Sequence, residues 1–451
     1  VGTTGIKAAL VSDTAEVLAS AYRGYETMTS EGGVVEQNAE DWWRAALKSA
    51  SKLELDQVDA IALTGQMQNL LLLDAQGEAL HPVILYSDTR AFNEAASFAN
   101  MANPLLQQTG NEQGAASILA KLLWLKQHKP HFMAQASHLL LGAADYLAFK
   151  LSGTIVTDTT TASTTGLMKL QQRTWLGSDM LSQLGLAGLK PLLPKLVAGG
   201  TQIGRLKAES AKAMRLKPDT PVYLGPGDAV STTLGVGSGG IGKPYAYIGT
   251  SGWLAYTSAQ WGDAAKGVFT LAHPEASKVV CIAPILTAAG NFDWIKQIVE
   301  AKDHTSMIES ALAREPTQLL YLPYLHGERS PINDPFVRGA FIGLESSHKQ
   351  HDLVRAVLEG VAFAYRHALE ALITDAIERL TLTGGGTRTP AFCQLLADVI
   401  GLQVKLNRQA INAGLVGSLY ACQARVANTT QAALSYVPDT TGVTTYQQKY
   451  R

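Results

Sequence analysis

A few short stretches of this chain have residue types and spacings that could do chemistry. Gly225-Pro226-Gly227-Asp228-Ala229 places a carboxylate on a glycine-rich bend, where it could take a proton from a ligand or simply cap a turn. Val1-Gly2-Thr3-Thr4-Gly5-Ile6 and Ile248-Gly249-Thr250-Ser251-Gly252-Trp253 share one pattern, apolar–Gly–Thr–Thr/Ser–Gly–apolar. Glycine lets backbone N–H groups approach an anion closely, and the hydroxyls add donors. One such stretch alone reads as a plain hairpin turn; two, one at the front of each half, favour a pair of phosphate cradles. Leu382-Thr383-Gly384-Gly385-Gly386-Thr387-Arg388 offers bare backbone on which a flat ring could lie, or else a turn that needs positive φ. There is no GxxxxGK[ST] sequence, which excludes a P-loop nucleotide site.

Strands and helices must hold these stretches in place. Ile6–Val11 and Val17–Tyr25 read as a hairpin turning at Ser12-Asp13. Asn38 followed by Glu40, Asp41 and the helical spacing of Trp42, Ala46 and Leu47 marks a capped helix start. Val58–Leu63 reads as a buried strand that delivers the polar run Thr64-Gly65-Gln66-Met67-Gln68-Asn69, with Leu70–Leu73 as the next strand. Gly235–Gly242 is dense in glycine and marks a joint between two domains, 1–236 and 237–451. Beyond it, Leu322–Pro331 reads as an ordered surface loop near a site, with Glu328 and Arg329 as a structural ion pair. Asp352–Leu372 reads as a core helix and Trp124 as a core residue.

Composition narrows the classes. A chain of 451 residues exceeds the size of a single core, so two domains are expected. With 46% hydrophobic and 17% charged residues it is an ordinary globular protein. A net charge of −1 gives no footprint for nucleic acid or an anionic membrane. Cys281, Cys393 and Cys422 are too few and too scattered for a disulfide framework or a zinc site, so a reducing, cytoplasmic setting is expected. No apolar run is long enough to span a bilayer.

These residues resemble the FGGY carbohydrate kinases, and most closely the xylulokinases among them, over essentially the whole chain. Gly339-Ala340-Phe341-Ile342-Gly343-Leu344, a seven-residue spacer, then Asp352-Leu353 through Ala356-Val357-Leu358-Glu359 fits the second family signature. Lys121-Leu122-Leu123-Trp124-Leu125-Lys126-Gln127-His128 fits the end of the first, whose front departs at Ile118. Tyr321–Leu325 with Gly327–Pro331 is similar to the xylulokinase stretch FLPYLxGERTP.

The resemblance implies an α/β fold of two ribonuclease-H-like domains, of the actin/hexokinase/Hsp70 type, around a cleft. It implies ATP and Mg²⁺ as cofactors and Asp228 as general base. ATP would meet Gly2, Thr3, Thr4, Lys7, Gly249, Thr250 and Ser251, with adenine on Gly384, Gly385 and Gly386. The family's Asp-x-Gly-Thr loop is matched from its second position, so the Asp tied to magnesium would stand just before Val1, and the metal ligands stay unassigned. Sugar contacts would come from Met67, Gln68, Asp88 and Asp228. Gln68 and Asn69 stand where the family has His and Gly, and Tyr86-Ser87-Asp88-Thr89-Arg90 stands for Trp-Asn-Asp-Gly-Arg. These departures leave the sugar open: D-xylulose fits best, while glycerol, gluconate, ribulose and a heptulose remain alternatives, as does an inactive sugar-responsive regulator. The partners expected are the sugar and ATP, without nucleic acid or membrane, and a homodimer is the assembly considered. The spacing at Gln409–Gly414 also departs from the family run.

Overall fold

The computed structural model describes residues 1–373, 377–407, 412–423 and 434–450. Of the departure at Gln409–Gly414, positions 409–411 fall outside the described residues. The chain forms two compact units. The first comprises Val1–Gly235, Thr270–Val279 and Asn412–Ala427; the second comprises Val236–Phe269, Val280–Ile411 and Asn428–Arg451.

In the first unit the expected hairpin is present, with Gly5–Val11 antiparallel to Val17–Gly24. The helix Ala39–Ala50 starts where its cap chemistry places it. Asn38 accepts the N–H of Glu40 at 2.9 Å, and Glu40 and Asp41 sit in the first turn, where carboxylates oppose the helix dipole. Trp42, Ala45, Ala46 and Ser49 recur at helical spacing and are buried.

The strand expected over Val58–Leu63 is shorter. Only Ile61–Leu63 pairs, because its neighbour Pro221–Leu224 offers partners from Val222 to Leu224 alone. Val58 lies in a turn, its N–H donating to Leu55. These two strands run parallel, with Leu63 opposite Leu224, so both chains leave the sheet at the same end. Thr64–Asn69 emerges beside Gly225–Asp228, although more than 150 residues separate them in sequence. That is the general place for sites in α/β folds. Thr201–Arg205 flanks Pro221–Leu224 on the far side, antiparallel. A core of Trp42, Leu63, Leu71, Tyr146, Leu147, Val222 and Leu224 packs beneath.

The second unit repeats this logic. Its sheet places Val279–Ile285, Gly252–Ser258, Tyr245–Ile248, Arg379–Thr383, Gln403–Leu406 and Ser435–Tyr436 side by side in that order. Tyr245–Ile248 and Arg379–Thr383 are parallel, so the Gly249 and Gly384 stretches leave the sheet together. The helix Gln350–Leu372 starts where Asp352 accepts the Lys349 N–H at 2.7 Å. Val354, Ala356, Val357, Val361, Ala364 and Ala368 of that helix are buried, whereas Leu353 is only half-buried. No described helix is long and apolar enough to cross a membrane.

Candidate active site

Asp228 is the first residue of the helix Asp228–Gly235. Its backbone N–H donates to Gly65 at 3.0 Å, which ties the carboxylate-bearing bend to the Gly65–Asn69 segment. Burial pushes the Asp228 carboxyl up to about 6; the Ala229 N–H opposes that rise, and Asp158 adds to it. Gly227 is bare for a steric reason: a Cβ there would stand 2.1 Å from the Met67 sulfur. Met67 therefore lies on the peptide just before Asp228. Gln68 has φ of 57°, uncommon for a side-chain-bearing residue, and its Nε2 donates to the Thr164 carbonyl at 3.0 Å. Thr64 closes the arrangement by donating to Pro226 at 2.8 Å.

Asp88 is fully buried, at 0% exposure. It accepts the Val35 N–H at 2.6 Å and a forked bond from Arg90 at 3.0 and 2.6 Å. Arg90 also meets Glu36 at 2.7 Å and stacks over Trp124 at 5.0 Å. Asp88 is thus tied to Val35, to Arg90 and, through its N–H, to Leu85 in the turn that carries Tyr86. Lys121 is buried beneath that turn, donating to the Leu85 carbonyl at 2.6 Å; burial brings its pKa down to about 7.

The first Gly-Thr loop turns tightly, Gly2 N–H to Gly5 at 2.9 Å. Gln37 Nε2 holds the Thr3 carbonyl at 2.7 Å, the Tyr25 hydroxyl donates to the Gly2 carbonyl, and the Thr3 hydroxyl meets Tyr86 at 3.3 Å. Gly2 and Thr4 are exposed. Lys7 donates to Asn412 at 2.5 Å in the same unit.

In the second unit, the Gly249–Gly252 loop joins Tyr245–Ile248 to Gly252–Ser258. The N–H groups of Ala288 and Gly290 donate to the Thr250 carbonyl at 2.9 and 3.0 Å, and that of Ala289 to Gly249 at 2.8 Å. Thr250 and Ser251 are exposed. Gly384, with φ of 100°, lies so close to this loop's strand that a Cβ would stand 2.4 Å from the Ile248 carbonyl. Gly385 has open space above it. A short 3-10 turn, Gly385–Arg388, intervenes before the helix Pro390–Ile400.

The Leu322–Pro331 stretch is less superficial than its sequence implies. Glu328 and Ser330 are buried, each at 2% exposure. The bond between Glu328 and Arg329 runs to the Arg329 backbone N–H at 2.7 Å, beside a second from Leu286 at 3.0 Å. The Arg329 guanidinium lies over the Phe269 ring at 3.9 Å. Burial raises the Glu328 carboxyl to about 7 although both N–H groups lower it.

Sequence reading missed Asp158 and Gln37. Asp158 precedes a Thr-rich run, an N-cap signal, but nothing in the sequence places it beside Gly227. Gln37 accepts from Trp42 Nε1 at 2.9 Å and Gln66 Nε2 at 3.0 Å while donating to Thr3; no local motif marks such a hub.

Both halves match known family models. Residues 1–235 match the N-terminal domain, and 245–425 the C-terminal domain, of the FGGY family of carbohydrate kinases. The chain is 30% identical to a xylulose kinase of Bacillus subtilis, covering 89% of this chain and 83% of that one. A xylulose kinase structure from Lactobacillus acidophilus superposes with TM-score 0.91 at 26% identity, covering 100% of this chain and 95% of that one. A gluconate kinase structure from the same organism gives the same TM-score of 0.91 and identity of 26%, covering 100% of this chain and 94% of that one. These likenesses show a two-domain α/β fold of the actin/hexokinase type.

Proposed function

We propose a substrate and residue roles from a settled premise: this chain belongs to the FGGY family of carbohydrate kinases and is an ATP-dependent sugar kinase. The substrate is a small ketose, D-xylulose, and the product D-xylulose 5-phosphate. Residues 1–236 supply the sugar-binding domain and 237–451 the ATP-binding domain, except that Thr270–Val279 and Asn412–Ala427 belong to the first compact unit. The observation that carries this reading is the Asp228 bend: its N–H is tied to Gly65, and Met67 lies against Gly227, the residue before the carboxylate. Backbone likeness does not choose the sugar, since a xylulose kinase and a gluconate kinase match equally well. The side chains favour a neutral one. Arg90 is held by Asp88 and Glu36, and Lys121 by the Leu85 carbonyl, which leaves Gln68, with its Nε2 on Thr164, to meet ligand hydroxyls.

Asp228 accepts the proton of the attacking 5-hydroxyl as its oxygen bonds to the γ-phosphorus and the bond to the ADP oxygen breaks. Gly2, Thr3, Thr4, Lys7, Gly249, Thr250 and Ser251 take the phosphates; Gly384–Gly386 takes adenine. Among the described residues no three His, Cys, Asp or Glu side chains form a metal cage. Mg²⁺ keeps waters and binds largely through substrate phosphates. When bound, it would neutralise charge on the transferring group, with Thr and Ser hydroxyls of the loops nearby. The three cysteines are free thiols, in keeping with a cytoplasmic setting.

ADP release measured against D-xylulose, D-ribulose, glycerol and gluconate tests the substrate. Strongest turnover on D-xylulose is expected; strongest turnover on gluconate would reject the neutral-sugar reading. Asp228→Asn should lower kcat by about 10²–10⁴-fold with ATP binding retained. In the wild type kcat should fall below pH of about 6, as the base becomes protonated.

A further inference from the structure

A second carboxylate lies against the bend that carries Asp228. Asp158 is 1% exposed and caps the helix Thr159–Ser163, its Oδ1 accepting the Thr160 and Thr161 N–H groups at 2.9 and 3.1 Å. The same Oδ1 accepts the Gly227 N–H at 3.2 Å, and its Oδ2 accepts the Thr161 hydroxyl at 2.6 Å. Gly227 is the residue before Asp228, and its bare Cα has Met67 on one side and the Thr161 hydroxyl on another. Asp158 thus grips the peptide that aims Asp228 and fastens it to a helix cap.

Building on the kinase reading above, we propose that Asp158 is the positioning residue for Asp228: it orients the Gly227–Asp228 peptide through its Oδ1 and sets the electrostatic field in which the base works. A capping role alone would need only the Thr160 and Thr161 bonds. The bond to Gly227 reaches across 69 positions of sequence, and it serves the bend rather than the helix. The charge is within reach of Asp228 and favours its protonated form. A further ionisable group, buried Asp145, faces Asp158. The helix Ala413–Cys422, packed on Asp228–Gly235, brings only Tyr420 and Cys422 as titratable residues.

Two substitutions separate geometry from charge. Asp158→Asn keeps an oxygen for the three N–H groups and removes the charge. Its kcat at alkaline pH should stay near wild type, while the acid limb of the kcat–pH profile moves to lower pH. Asp158→Ala removes both, and kcat should fall by about 10²-fold with the KM for ATP unchanged. Asn and Ala profiles that both superimpose on wild type would overturn the proposal. So would an Asn variant that loses activity as Ala does with no movement of the limb, which is the mark of a cap that merely stabilises. Carboxyl ¹³C NMR titration of Asp228 in the free protein reads the same shift without turnover. A wild type with no sugar-dependent ADP release would sink the kinase reading, while an Asp228 titration unmoved by Asp158→Asn would sink this inference.

Discussion

The two Gly-Thr loops look alike in sequence but are held in different ways. The first, Gly2–Gly5, is braced by side chains: Gln37 on the Thr3 carbonyl, Tyr25 on the Gly2 carbonyl and Tyr22 on the Thr4 carbonyl. The second, Gly249–Gly252, is braced by backbone: three successive N–H groups, Ala288 to Gly290, on the Gly249 and Thr250 carbonyls. A side-chain brace can be removed by one substitution, whereas a backbone brace survives any substitution that leaves the chain in place. The first loop is therefore open to polar-to-apolar changes, and the second chiefly to steric ones.

The largest effect should come from Gly252→Ala. A Cβ there stands 1.9 Å from the Tyr365 hydroxyl and 2.8 Å from the Tyr247 carbonyl. Destabilisation of about 3 kcal/mol is expected in denaturant unfolding, with a raised KM for ATP. Adding Tyr365→Phe should recover part of it, since the nearest oxygen is gone; no recovery would place the strain on the backbone alone. Gln37→Leu comes next. It strands the Trp42 and Gln66 N–H groups inside the protein, for about 2 kcal/mol, and should raise the KM for ATP more than that for sugar. An unchanged KM for ATP would show that the first loop does not need its side-chain brace. Tyr25→Phe removes a single bond and should lose about 1 kcal/mol. Thr250→Ala should be smallest in stability, within about 0.5 kcal/mol, because the loop is held by the Thr250 carbonyl rather than its hydroxyl. If its KM for ATP nevertheless rises, the hydroxyl faces the nucleotide and the backbone brace is confirmed as independent of it.

Local chemistry was legible where a residue's role depends on its neighbours in sequence. The Asn38 cap, the hairpin after Gly5, the strand before Gly384 and the amphipathic run through Val357 all follow from side-chain preference and periodicity. The strand before Thr64 was overestimated, since its length is set by Pro221–Leu224 and not by its own apolar run. The burial of Glu328 was invisible for a similar reason: a charged loop reads as surface until its carboxylate is seen to accept buried N–H groups.

The sequence by itself determined the chemistry available: glycines where backbone must come close, hydroxyls beside them, one carboxylate on a bend, and signatures of a kinase family. Only the tertiary structure decided which of these meet. Two parallel strands, Ile61–Leu63 and Pro221–Leu224, end in register and so bring Gly65 within a hydrogen bond of Asp228. Asp158, at the end of the separate strand Val156–Asp158, reaches Gly227 through its own hydrogen bond. Pairing between distant strands is fixed by the shared burial of both, and no stretch of sequence carries that information alone.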